Sequence, residues 1–204
     1  MTVDRVAARI VRVDPAFAPI VKAAGPVALR EPMADAFNAL LRAIVFQQLA
    51  GRAASAIHGR VVALFNGELA SPETLLALSA DQLRSAGLSA SKQAALIDLA
   101  TKFNDGTVPV HDVDQLSDDE IVERLIAVRG VGRWTAEMFL IFQLRRPDVW
   151  PVDDFAVRAG WARIHKLELP PKPKELLSLG DVFRPHRSAA AWYCWRATDT
   201  VLPD

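Results

Sequence analysis

The chain has 204 residues, 51% of them apolar and 24% charged, enough to bury a substantial core as one compact domain or two closely packed lobes. Its single cysteine, Cys194, excludes an internal disulfide, a cysteine-held iron–sulfur cluster and a four-cysteine zinc site. The 24 basic and 24 acidic residues sum to zero net charge, which argues against a uniformly basic surface, yet residues 121–196 hold 13 Lys or Arg against 8 Asp or Glu and leave the remainder at −5. With no secretory signal and no apolar run uninterrupted by Arg, Lys or Asp, no membrane segment is expected and a reducing cytoplasm is the default compartment.

In chain order, the stretch before Met33 contains Pro15, Pro19, Pro26 and Pro32 and reads as an irregular or partly helical segment packed on the rest. Arg9 to Val13 alternate polar and apolar, the only strand-like signal and a short one. Phe37, Leu40, Leu41, Ile44 and Val45 then recur at the spacing of a buried helix face, and Ile57, Val61, Leu64 and Phe65 repeat it. Ser79-Ala-Asp-Gln82 and Ser117-Asp-Asp-Glu120 are capping boxes that predict helix starts near 80 and 118, and another helix is expected over Ala90 to Phe103. Gly87, Asn104-Asp-Gly106 with Pro109, Pro147 to Pro151 and Pro170-Pro-Lys-Pro173 punctuate these segments without forming a flexible linker. The predicted architecture is all-α.

Leu125-Ile-Ala-Val-Arg-Gly-Val-Gly-Arg-Trp-Thr-Ala136 carries the most chemistry. A helix is expected to end at Ala127 or Val128, turn through Gly130 and Gly132, which permit left-handed backbone and close approach, and restart at Arg133 with unpaired amides facing outward, a cradle for phosphate. Ile121, Val122, Leu125, Met138 and Phe139 supply the apolar faces of a helix-hairpin-helix. A helix C-cap followed by a second helix produces the same Gly-Val-Gly in purely structural settings. About one helix length later comes Pro151-Val-Asp-Asp154. Either aspartate can N-cap the helix expected from Phe155 to Ile164, or one can face a site; Asp153 capping while Asp154 faces the site satisfies both.

The chain resembles the helix-hairpin-helix DNA glycosylase superfamily, and within it the DNA-3-methyladenine glycosylase II family. The similarity lies in Leu41-Arg-Ala-Ile-Val-Phe-Gln-Gln-Leu-Ala-Gly-Arg-Ala-Ala54, in Arg129-Gly-Val-Gly-Arg-Trp-Thr-Ala136, and in Phe183-Arg-Pro-His-Arg-Ser188 with Trp192 and Trp195, together spanning roughly residues 37 to 198. The resemblance implies a two-lobed helical fold over residues 1–204 with an active-site cleft between lobes, segment 1–32 packed on the core, and the hairpin at 118–144. It also implies the activity: hydrolysis of the N-glycosidic bond of alkylated purines of the 3-methyladenine and 7-methylguanine type in duplex DNA, opening base excision repair.

The same resemblance assigns residues. Asp154 is the catalytic carboxylate, stabilising positive charge on the deoxyribose and orienting or deprotonating water. Trp134 stands where the bifunctional branch carries a Lys that forms a Schiff base; an indole cannot, so no lyase activity is expected. Trp134 and Trp195 become walls of the base pocket, Trp195 stacking on the flipped base, with Phe46, Met138 and Trp192 nearby, and their π faces favour a cationic purine. Gln48, then Leu49, is the wedge that fills the vacated stack. Gly130, Gly132 and Arg133 hold the DNA backbone, and the carbonyls of Val128 and Val131 offer a place to a monovalent cation that is not counted as a cofactor.

His58, His111, His165 and His186 lack metal-ligand spacing, so no metal is expected. Met138 and His186 stand where relatives often carry aromatics, which leaves substrate breadth open. The expected partner is double-stranded DNA with alkylated bases, bound by a monomer in the cytoplasm, on the nucleoid if the source is bacterial. Two alternatives stay open: a related monofunctional glycosylase for another damaged or mispaired base, and a noncatalytic helix-hairpin-helix DNA-binding module that would need no Asp154.

Overall fold

A computed structural model describes residues 3–49, 51–108 and 113–198, and every regular element among them is helical. Ala50, Pro109 and His111 lie outside the described residues. The chain divides into two compact units, one formed by residues 1–30 and 145–204, the other by the continuous stretch 31–144.

The first unit begins with α1 (Val3–Val13), a 3-10 turn over Pro15–Phe17 and α2 (Ala18–Ala24). The alternation at Arg9 to Val13, read from sequence as strand-like, is therefore part of a helix. Five residues cannot separate a period of two from one of 3.6, and over the whole segment Ala7 and Ile10, three apart, form the buried face. Nor is this segment an addition to a finished core. Phe17 is fully buried, with its ring edge-on to Trp161 and Phe183 at centroid distances of 5.9 Å and 5.2 Å. The chain after α2 is held by Tyr193, whose hydroxyl donates to the Gly25 carbonyl (2.9 Å), and by Trp192, whose indole N–H donates to the Ala28 carbonyl (3.1 Å).

The second unit opens on α3 (Ala36–Phe46), N-capped by the Asp35 carboxylate, and continues through α4 (Gly51–Ala63), α5 (Pro72–Leu76), α6 (Ala80–Ser85), α7 (Ala90–Asn104), α8 (Asp118–Ile126) and α9 (Arg133–Met138). Ser71, Ser79, Ser89 and Ser117 each accept an amide N–H from the first turn of α5, α6, α7 and α8, so these four helices start where a serine can satisfy an orphan donor. The box at Ser71 was not among the expected starts. The second apolar stripe ends early: α4 stops at Ala63, and Leu64 and Phe65 lie in the following turn, where Asn66 and Gly67 take left-handed φ values of 55° and 87°.

Leu40, Leu41, Ile44 and Val45 of α3 bury against this unit's core with Leu96, Leu99 and Phe103 of α7. Each such side chain contributes about 1.5–3 kcal/mol. After α9 the helix loosens into a π-helical turn over Phe139–Gln143, whose Phe139, Leu140, Ile141 and Phe142 are all buried. Gln143 closes the unit by accepting from the Met33 amide and donating to the Met33 carbonyl, both at 2.9 Å.

The chain then returns to the first unit with α10 (Phe155–His165), α11 (Pro173–Leu179) and α12 (Arg187–Ala197). Helices α10 and α12 approach closely because Gly160 has no side chain: a Cβ there would lie 1.9 Å from the Cys194 carbonyl oxygen. Cys194 itself is fully buried, and desolvation, followed by the Asp14 and Asp154 carboxylates, pushes its thiol far above the ordinary value. It is a packing residue, inert as a nucleophile.

Candidate active site

The acidic pair sits at the junction into α10. Trp150-Pro151-Val152-Asp153-Asp154 folds tightly, with the Val152 amide donating to the Trp150 carbonyl (2.9 Å) and the Asp154 amide to that of Pro151 (3.1 Å). The cap of α10 is Asp154 itself, not Asp153: its Oδ1 accepts the Val157 amide at 2.9 Å, while Asp153 is exposed. The division of labour expected from sequence therefore fails at Asp153. The residue one before the first helical position is the one whose carboxylate reaches the third amide of the turn.

A second donor converges on the same oxygen. The Trp195 indole N–H, from the middle of α12, donates to Asp154 Oδ1 at 3.2 Å, and the close packing of α10 and α12 at Gly160 brings the two together. Asp154 is only 8% exposed and Trp195 2%. A buried carboxylate is tolerated when donors of this kind compensate the lost hydration, and here they also fix its rotamer. Trp195 thus touches the candidate catalytic group directly, a contact the sequence did not disclose. Trp192 packs edge-on to Tyr193 with a centroid separation of 5.0 Å, and its N–H is spent on Ala28.

In the other unit, α8 ends at Ile126 with Ala127 as C-cap, and the turn to α9 is closed by the Val131 amide donating to the Val128 carbonyl at 3.0 Å. Only Gly130 is left-handed, at φ 77°. Gly132 has φ −95° and ψ 172°, extended backbone open to any residue, so the expectation that both glycines serve conformation is corrected. Gly132 contributes differently: as the N-cap of α9 it has no side chain to satisfy the helix's first amides, in contrast to the serines that start α5 to α8. Those donors, on an exposed turn, suit an anion.

Trp134 follows on the first turn of α9, 41% exposed, and Met138, one turn on, is buried. Arg133, with a side chain 60% exposed, donates through Nε to Oε1 of the buried Glu137 at 3.0 Å, which moderates the charge it brings to the turn. Phe46, the last residue of α3, is half-buried, and one face of its ring carries the Arg42 guanidinium at 3.8 Å. Gln48 and the 38% exposed Leu49 form the tip of the turn between α3 and α4.

Two further side chains tie these parts together. Gln47 donates through Nε2 to the Gly130 carbonyl (3.0 Å) and the Thr135 hydroxyl (3.3 Å), bridging the α3–α4 turn to the hairpin. Asp98 of α7 accepts the Arg129 amide at 2.6 Å and pins the other side of the turn. Neither contact was legible in the sequence, where Gln47 reads only as the first residue of the Gln47-Gln48-Leu49 wedge segment, because the partners are 31 to 88 residues away and no local spacing signals such contacts. Among the described residues no group of three His, Cys, Asp or Glu side chains is arranged to hold a metal, and no helix is long and apolar enough to cross a membrane.

Comparison with known proteins adds to this geometry. Residues 41–185 match the HhH-GPD superfamily of base excision DNA repair proteins. Over 166 residues the chain is 37% identical to DNA-3-methyladenine glycosylase 1 of Schizosaccharomyces pombe, covering 80% of this chain and 73% of that protein. The solved structure of the S. pombe 3-methyladenine DNA glycosylase Mag1 in complex with abasic DNA superposes with a TM-score of 0.85 at 32% identity, covering 97% of this chain and 98% of that one. A DNA-3-methyladenine glycosidase from Bacillus halodurans superposes with a TM-score of 0.86, also at 32% identity, over 96% and 89% of the two chains.

Proposed function

The chain belongs to the HhH-GPD superfamily of base excision DNA repair proteins, and from that premise we propose that it is a monofunctional DNA glycosylase that hydrolyses the N-glycosidic bond of alkylated purines in duplex DNA. The observation that carries this reading is the pairing of the buried Asp154 carboxylate with the Trp195 indole N–H and the Val157 amide on one oxygen. A carboxylate held this rigidly is suited to a reaction in which positive charge develops on the sugar as the base departs, since it need not reorganise to meet that charge. It also serves to orient water at the anomeric carbon.

The base and backbone roles follow from the same reading. Amides at the start of α9 take a DNA phosphate, and Arg133 adds charge tempered by Glu137. Trp134 offers an exposed π face to a cationic base, such as 3-methyladenine or 7-methylguanine, and supplies no amine for a Schiff base, so the product is an abasic site on an uncut strand. Gln48 and Leu49 enter the helix where the base has left. A monovalent cation belongs to the proposal as well: the Val128 carbonyl accepts one N–H, from Val131, and retains a second lone pair for an ion that would neutralise the bound phosphate.

The test is release of base from methylated duplex DNA by wild type and Asp154→Asn. Asparagine keeps an oxygen that accepts from Val157 and Trp195, so the fold is retained while the charge is lost. The expected loss in rate is about 10²–10⁴-fold. Release by Asp154→Asn at the wild-type rate removes the catalytic assignment. Duplex binding without base release by wild type favours a binding module.

A further inference from the structure

The turn that carries Gln48 and Leu49 is held in an unusual way. Gln47 leaves α3 with φ −53° and ψ 133°, Gln48 takes φ 56°, and the Leu49 amide returns to the Phe46 carbonyl at 3.4 Å. This is a type II turn with glutamine where glycine or asparagine is usual, a strained arrangement that persists only when its surroundings over-determine it.

Those surroundings converge on one side chain from another helix. Lys92, in the first turn of α7, donates through Nζ to the carbonyls of Ile44 (3.1 Å) and Val45 in the last turn of α3 and of its C-cap Gln47 (2.9 Å). A cation at this end of a helix satisfies orphan carbonyls and opposes the macrodipole. Its three protons match three acceptors, and the third acceptor lies inside the strained turn. On the other side, the Gln47 amide reaches the Gly130 carbonyl and Thr135 hydroxyl of the hairpin. Lys92 and Gln47 thus fix the tip of one turn relative to the amides of another, 83 residues away in sequence.

Resting on the reading of this chain as a base-flipping glycosylase, we propose that Lys92 is a positioning residue that presents Gln48 and Leu49 in register with the hairpin, so that wedge insertion and phosphate capture occur as one event. Lys92 touches neither DNA nor the reacting atoms in this scheme. Its contribution is confined to the step in which a paired base leaves the stack, and a base that is already unpaired needs little of it.

This separation gives the test. Single-turnover release of 7-methylguanine is measured for wild type, Lys92→Met and Gln47→Leu on two duplexes, one with the lesion paired to cytosine, the other with it opposite an abasic site. Lys92→Met is expected to slow release from the paired duplex about ten-fold or more, the effect of losing charge-assisted hydrogen bonds at one turn. On the unpaired duplex it stays within about three-fold of wild type, because unpairing is already done. Gln47→Leu shifts the same ratio in the same direction. Fluorescence of 2-aminopurine placed beside the lesion reports unstacking directly and is expected to rise more slowly with Lys92→Met. Equal slowing on both duplexes marks a general folding defect and overturns the proposal, as does no slowing on either. Failure of wild type to release base from both duplexes overturns the glycosylase reading instead.

Discussion

Trp195→Phe separates two roles that one residue could hold. The substitution keeps an aromatic ring at the position but removes the N–H that donates to Asp154 Oδ1 at 3.2 Å, leaving that oxygen with the Val157 amide at 2.9 Å. A hydrogen bond to a charged group contributes about 1.5–3 kcal/mol, and the length of this one favours the lower end. If the full value is felt in the transition state, 1.5 kcal/mol corresponds to about a ten-fold drop in rate. Trp195 is 2% exposed, so the smaller ring also leaves a void and lowers stability by about 1–3 kcal/mol. Denaturant unfolding measures that part separately, and rates are compared well below the melting transition.

The discriminating assay is release of a cationic alkylated base, 7-methylguanine, and a neutral alkylated one, 1,N6-ethenoadenine. Loss of carboxylate positioning slows both by the same factor, because both pass through positive charge on the sugar. Loss of a stacking wall slows the cationic base selectively, since the indole face attracts cations best. A rate within two-fold of wild type on both substrates refutes the positioning argument, and a defect confined to 7-methylguanine replaces it with stacking.

Other substitutions probe the hairpin and the interior of the second unit. Gly130→Ala forces a Cβ onto a backbone at φ 77° and is expected to lower stability by about 1–2 kcal/mol in thermal melts, whereas Gly132→Ala, at extended backbone in open space, leaves stability within about 0.5 kcal/mol. Gly132→Ala should nevertheless weaken duplex binding in fluorescence anisotropy, because its methyl group stands before the first amides of α9. Burial, and then the Arg42 charge, lower the pKa of His58 from the ordinary 6.5. The unfolded chain therefore binds that proton more readily, so stability contributed by neutral His58 is complete above about pH 6.5 and declines as pH falls toward the lowered folded value. Denaturant unfolding between pH 5 and 7 should show this decline, and His58→Gln should flatten it.

The helices were legible because their signals are local. Serine caps at 79 and 117, the apolar period from Phe37 to Val45 and the glycine turn at 130 each act within a few residues, and each element appears where that chemistry predicts. Where the local signal was too short, as at Arg9 to Val13, it misled; where two residues competed for one cap, as at Asp153 and Asp154, only backbone geometry chose between them.

The sequence by itself determined that the chain is helical, that a glycine turn near residue 130 joins two helices, and that an acidic pair follows it at a helix start. Tertiary structure decided what those groups meet: Trp195 on Asp154, Gln47 and Asp98 on the hairpin, Lys92 on the end of α3. The reason is physical. Caps and periodicity are set by neighbours along the chain, whereas a buried carboxylate or an orphan carbonyl takes its partner from whichever helix packs against it, and that choice leaves no spacing to read.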